Sequence, residues 1–155
     1  MTEHLIGVIS DTHGLLRPQA VQALEGVELI IHAGDIGDPK ILRRLERIAP
    51  VHAVRGNTDR GDWAAKLPNI RLVEVGGILI WVLHELFSLD LDPAAAGFAA
   101  VIFGHSHRPH QEHKNGVLYL NPGSAGPRRF TLPVTLARIK LQDNSLHPEI
   151  VDLKV

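Results

Sequence analysis

Leu5-Ile6-Gly7-Val8-Ile9 runs directly into Ser10-Asp11-Thr12-His13-Gly14. The first five residues are apolar and rich in β-branched side chains, which is the pattern of a strand buried on both faces. The same change from apolar run to polar break recurs four times along the chain. Leu29-Ile30-Ile31 leads into His32-Ala33-Gly34-Asp35, and Val51 to Val54 into Arg55-Gly56-Asn57. Ile78 to Leu83 leads into His84, and Ala99 to Phe103 into Gly104-His105-Ser106-His107.

Between the first three strands the periodicity becomes helical. Pro18 suits the first turn of a helix through about Glu25, with Val21 and Leu24 on one face. Asp38-Pro39 starts a second helix, in which Ile41, Leu45 and Ile48 recur at i, i+4 and i+7 before Pro50 closes it. Strand, helix, strand, helix, strand is the signature of parallel βαβ units. Beyond Asn57 the pattern turns to hairpins. One is expected at Gly76-Gly77, one at Asn115-Gly116 and one near Asp143-Asn144, the last between strands Val134 to Leu141 and Leu146 to Leu153. Asp92-Pro93 is expected to start a short Ala-rich helix. The fold class is α/β, in a single domain over residues 1–155 with no repeat, linker or low-complexity segment.

Composition narrows the chemistry. With 45% apolar and 21% charged residues and a formal net charge of −1, the 155-residue chain reads as globular, and its charge balance points to no nucleic-acid or membrane surface. It contains no cysteine, which excludes disulfides and thiolate metal sites. Met1-Thr2-Glu3-His4 lacks a basic leader region and Ala94 to Phe103 is too short to span a bilayer, so a cytoplasmic location is expected. There are ten histidines.

In open α/β sheets, ligands bind outside the carboxyl ends of the strands. Residues just past those ends converge although they are far apart in sequence. Asp, Asn and His without Cys suit Mn, Fe, Zn or Ni. A single Asp-x-His or Gly-Asp is weak, because each is common by chance or as a turn. The ordered set is specific. The glycines at Gly34, Gly56 and Gly104 are expected to let the backbone bend sharply at each presented side chain.

On these residues the chain resembles the calcineurin-like metallophosphoesterase superfamily, in its small prokaryotic YfcE-type phosphodiesterase branch. The match is the order Asp11/His13, Gly34-Asp35, Gly56-Asn57, His84, Gly104-His105-Ser106-His107, followed by Asn121-Pro122-Gly123-Ser124. The resemblance implies an αββα sandwich of two mixed sheets flanked by helices, with the site at the carboxyl ends of the strands. It implies one ion on Asp11, His13, Asp35 and His107, and another on Asp35, Asn57, His84 and His105, with Asp35 as bridge. Two divalent ions, Mn first with Fe, Zn or Ni as alternatives, would then stand ~3.5–4 Å apart and share a hydroxide that attacks phosphorus in line. Asp35 and Asn57 carry that chemistry, and Arg55 is a candidate phosphate contact. The implied substrate is a small phosphodiester, with nucleic acid entering only as a candidate substrate. No membrane partner is expected, and the resemblance favours a homo-oligomer.

Two positions depart from the pattern. Larger relatives carry a His directly after the Asn, where this chain has Thr58, and the branch reads His-Gly-His where this chain reads His84-Glu85-Leu86. The alternative function is a catalytically weak or inactive protein-binding scaffold on the same fold, as in a eukaryotic retromer subunit. Among the remaining candidates, His32 is expected to be structural, and His52 packing or surface. His110 and His113 are expected to be solvated, with His110 a candidate to approach substrate; His4 and His147 carry no signal. Asp59 is a candidate to support a ligand and Asp62 to lie in a loop. Arg128 and Arg129 are equally placed for phosphate steering or for the surface. Trp63 and Phe87 fit either the core or an oligomer interface.

Overall fold

The computed structural model describes residues 3–155, so Met1-Thr2 and the leader reading that rests on them lie outside it. Among the described residues, ten strands form two five-stranded mixed sheets. The first has the order β10 (Ser145–Asp152), β9 (Thr135–Gln142), β1 (Glu3–Ile9), β2 (Leu29–His32), β3 (Val51–Ala53), with β1, β2 and β3 parallel. The second has the order β4 (Ile70–Val75), β5 (Ile78–Leu83), β6 (Ala100–Ile102), β8 (Val117–Asn121), β7 (His110–Lys114), with β5, β6 and β8 parallel.

Side-chain alternation sorts the apolar residues into three layers. Ile6, Val8 and Ile31 of the first sheet meet Ile80, Val82, Ile102 and Leu120 of the second in the central core. Ile9 and Ile30 face the other way, against helices α1 (Pro18–Ala23) and α2 (Pro39–Glu46). The Asp38 carboxylate caps α2 by accepting from Lys40 N at 2.8 Å, as the Asp-Pro start predicts. Trp63 is half-buried and packs against this outer layer. On the far face of the second sheet, Leu83, Val101 and Val117 pack with Trp81, Leu89 and Tyr119.

The three expected hairpins form, each closing on two residues with positive φ: Gly76-Gly77, Asn115-Gly116 and Asp143-Asn144. The helix expected from Asp92-Pro93 does not form. Asp92 Oδ1 accepts from Ala94 N at 3.1 Å, but Gly97, at φ +85°, turns the chain after three alanines, leaving only turns. Asp62, expected in a loop, begins the one-turn helix α3 (Asp62–Ala65). Among the described residues, no helix is long and apolar enough to cross a membrane.

Candidate metal centre

The two sheets bring the five strand-end segments to one edge of the sandwich. Asp11, following β1, is fully buried. Its Oδ2 accepts from Ser10 Oγ at 2.7 Å and from the His105 backbone N at 3.1 Å. Its Oδ1 has no hydrogen-bond partner and faces His107 Nε2 at 3.4 Å, His13 Nε2 at 3.8 Å and His84 Nε2 at 3.9 Å. Asp35, following β2, repeats the arrangement. Its Oδ1 accepts from Thr58 N at 2.9 Å, while Oδ2 lies 3.2 Å from His84 Nε2 and 3.7 Å from His13 Nε2. Each carboxylate therefore has one oxygen tied to the protein and one aimed into a shared space.

The histidines are oriented to match. His84 Nδ1–H donates to the Ala33 carbonyl at 2.7 Å, so in the neutral ring it is Nε2 that carries the lone pair, and that buried nitrogen has only the carboxylate oxygens of Asp35 and Asp11 near it, at 3.2 and 3.9 Å. Nε2 of His13 and of His107 stand 3.3 Å apart. Asn57 Oδ1 and His105 Nδ1 are 3.1 Å apart. Two triads result, Asp11-His13-His107 and Asp35-His84-His105, and within each the donor atoms all lie within 4.8 Å of one another. Donors on one ion at ~2.0–2.2 Å stand roughly 3–3.6 Å apart, so the separations here need only small adjustments. Orphaned, buried O and N donors in two such groups fit two divalent ions.

Electrostatics favours positive charge at the same point. Burial pushes the His84 imidazole down, but the Asp35 and Asp11 carboxylates outweigh it and raise its pKa. Desolvation pushes the Asp35 carboxyl up, yet His84 and the Thr58 N–H hold it well below the usual carboxylate range.

Five of the residues expected as ligands have positive φ: Asp11 at 55°, His13 at 45°, Asp35 at 56°, His105 at 75° and His107 at 63°. Such conformations cost of order 1–3 kcal/mol each and persist only where the surroundings enforce them. Gly34 bends at φ +102°, but Gly56 and Gly104 do not adopt positive φ, which corrects the expectation of three bends. Their role is close approach. A Cβ on Gly56 would sit 2.1 Å from Asp35 N, and one on Gly104 2.2 Å from Ser10 Oγ.

The surroundings that enforce the strain are hydrogen-bonded loops. Asp59, buried, accepts from Ile36 N, Gly37 N and Gly56 N at 3.2, 3.0 and 2.9 Å, tying the loop after β2 to that after β3. Asn121 donates to the Gly104 carbonyl at 3.0 Å and to Ser106 Oγ at 3.1 Å, and Ser124 Oγ donates to the Asp11 carbonyl at 3.0 Å. Ser10 and Arg60 carry no signal in the sequence, because a Ser before an Asp or an Arg in a loop is common.

His32 is structural, as expected. Its Nδ1 accepts from Gly34 N at 3.1 Å, and its Nε2 lies 3.0 Å from Thr12 Oγ1, which donates to the Ile36 carbonyl at 2.8 Å. Full burial lowers its pKa from 6.5 to about 4, only partly offset by Asp11 and Asp59. The unfolded chain therefore binds a proton between pH 6.5 and 4 that the folded chain refuses. Stability is expected to fall through that window, by about 3 kcal/mol at pH 4 from this residue alone. Denaturant unfolding of the metal-free protein at pH 7 and pH 4.5 checks this: His32→Gln should lose distinctly less on acidification than wild type.

Beside the second triad lies a cavity of about 520 Å³ whose lining includes Arg55, Asn57, Arg60, His84 and Glu85. Arg55 reaches Asn69 Oδ1 through Nε and Nη2 at 3.3 and 3.1 Å. Arg128 instead donates to the carbonyls of Leu132 and Val155, and neither it nor Arg129 lines the cavity. His4 pairs with Glu28 and His110 with Glu112. Phe87 is 79% exposed, which removes it from the core.

The calcineurin-like phosphoesterase superfamily domain matches residues 5–144. A probable metallophosphoesterase of Methanothermobacter thermautotrophicus is 37% identical over 95% of this chain and 91% of its own length. A phosphodiesterase of Methanocaldococcus jannaschii is 28% identical over 76% of this chain and 82% of its own. Vacuolar protein sorting 29 from Cryptosporidium parvum has the same fold, at TM-score 0.77 and 18% identity over 98% of both chains. The match over nearly the whole chain, together with two His/Asp triads suited to two metal ions, means that this chain belongs to the calcineurin-like phosphoesterase superfamily.

Proposed function

We propose that the chain is a metal-dependent phosphodiesterase acting on small diesters. One observation carries the proposal. Asp11 and Asp35 each hold one oxygen in protein hydrogen bonds and turn the other toward the same two histidine nitrogens, Nε2 of His13 and of His84. A protein that used this fold only as a docking scaffold has no need of orphaned buried donors, which cost roughly 1–3 kcal/mol each.

Asp11, His13, Asp35 and His107 hold one ion in this reading, and Asp35, Asn57, His84 and His105 the other. Asp35 would serve both, since its Oδ2 lies 3.7 Å from His13 Nε2 and 3.2 Å from His84 Nε2. The ions supply, when bound, an acidified water for attack on phosphorus and positive charge for the phosphoryl oxygens. Arg55 and Arg60, on the wall of the adjacent cavity, receive the substrate's phosphate. The 28% identical relative is a phosphodiesterase, which supports a diester over a monoester substrate.

Thr58 stands where a protonating His would be, and a Thr hydroxyl is a poor acid near neutral pH. Good leaving groups are therefore favoured. Metal-stripped protein is expected to regain hydrolysis of bis-p-nitrophenyl phosphate on adding Mn, with about two ions bound per chain. It should turn over nitrophenyl diesters at least ~10-fold faster than alkyl monoesters. Equal rates on the two classes would defeat the leaving-group argument, and a chain that binds no metal would return the reading to a scaffold.

A further inference from the structure

We infer that Glu85 sets the charge selectivity of this site: its carboxylate disfavours phosphate monoesters and leaves diesters as the accepted class. The inference rests on the phosphodiesterase reading above. Glu85 follows His84 at the end of β5, in extended conformation (φ −112°, ψ 114°), before a 3-10 turn over Leu86–Ser88. Its Oε1 lies 3.7 Å from His105 Nδ1, the atom that is itself 3.1 Å from Asn57 Oδ1. The side chain is 23% exposed and shares the cavity wall with Arg55 and Arg60.

One other carboxylate lines that wall, Asp59, and both its oxygens are occupied by backbone N–H groups of the loops it ties together. Glu85 is thus the acid that meets a ligand, beside the second triad and within a cavity whose arginines draw phosphate in. A monoester carries close to two negative charges above pH 7, since its second pKa is ≈ 6, and a diester carries one. Repulsion from Glu85 scales with that charge. The extra monoester oxygen, charged and needing a donor, meets a carboxylate that has only lone pairs to offer. In a diester the same oxygen is esterified and uncharged, so the repulsion is halved. At the separations a cavity of this size imposes, the difference corresponds to about 10-fold or more in relative affinity.

Glu85→Gln keeps the shape, removes the charge and supplies an N–H donor. The ratio of kcat/KM for p-nitrophenyl phosphate to that for bis-p-nitrophenyl phosphate, measured on Mn-loaded protein at pH 8, is expected to rise about 10-fold or more, chiefly through a lower monoester KM. Metal content and Tm should stay at wild-type values. A parallel calorimetric titration reads binding without turnover: inorganic phosphate should bind the variant more tightly, dimethyl phosphate equally. An unchanged ratio with unchanged phosphate affinity overturns the inference. A fall of both rates together with metal content also overturns it, because Glu85 would then be supporting His105. If neither protein hydrolyses either ester, the phosphodiesterase reading fails, and the phosphate and dimethyl phosphate titrations still decide the role of Glu85.

Discussion

Asp35→Asn is expected to remove both metal ions and to reduce phosphodiester hydrolysis by about 10³-fold or more. The substitution is nearly isosteric. The amide oxygen can keep the bond that Oδ1 accepts from Thr58 N at 2.9 Å, so the loop after β2 has no reason to rearrange. The amide nitrogen then replaces Oδ2, between His84 Nε2 at 3.2 Å and His13 Nε2 at 3.7 Å. It has no lone pair to offer an ion and no charge to attract one. Because Oδ2 faces a histidine of each triad, one atom's change weakens both sites. Each bound ion stabilises the native state by about 2.7 kcal/mol at 100 times its Kd. At roughly 2–4 °C per kcal/mol for a chain of this size, Mn should raise the wild-type Tm by roughly 10 °C or more. The variant should show almost none of that rise. Metal analysis after desalting and a melting curve with and without Mn decide the matter. Two ions retained, with a rate within tenfold of wild type, would mean that Asp35 is not shared and that the sites are independent.

The residues of the two triads are legible in the sequence because each follows a short, β-branched or apolar run that reads as a buried strand. Hairpins at Gly76-Gly77, Asn115-Gly116 and Asp143-Asn144 are legible for the same local reason, as turn chemistry. What crosses the fold is not. β1 pairs antiparallel with β9, joining Glu3 to Gln142 and Val8 to Ala137, and no local pattern marks two strands that far apart as partners. Local propensity also misleads at Asp92-Pro93, where a good helix start is stopped by Gly97 before a second turn. The left-handed backbone at Asp11, His13, Asp35, His105 and His107 has no sequence signature either. Position-specific strain of this kind is imposed by neighbours, here Asn121, Ser124, Asp59 and His32, whose side chains are bonded to the loops that carry the donors. The donor types could be read one by one, whereas their convergence required the loops in space.

Gly56→Ala carries the second large expected effect, and it separates two accounts of why glycine stands there. If Gly56 served only to bend the chain, alanine would be tolerated, since its φ is not positive. The geometry gives a different answer. A Cβ at this position would lie 2.1 Å from both the backbone N and Oδ1 of Asp35, and 2.8 Å from its Cα. Two of these are backbone atoms in a buried loop with no flexible end to swing away. Gly56 N also donates to Asp59 Oδ2 at 2.9 Å, so retreat of the alanine breaks the bond that ties the two loops. Asp35 must therefore move by something like an ångström, losing the Thr58 contact and misdirecting Oδ2. Displacement on that scale costs about 10²-fold in rate, and overpacking costs typically 1–3 kcal/mol in stability. Gly97→Ala is the control: it sits at φ +85° with nothing within 4 Å of the new Cβ, in the turn that leads into β6, whereas His105 and His107 follow that strand. That variant should lose about 1 kcal/mol of stability and keep its metal content and rate. Gly56→Ala should lose both stability and metal. If Gly56→Ala instead binds two ions and hydrolyses the diester at the wild-type rate, the loops after β2 and β3 relax around the methyl group, and the close approach of Gly56 to Asp35 is not what positions the Asp35 carboxylate.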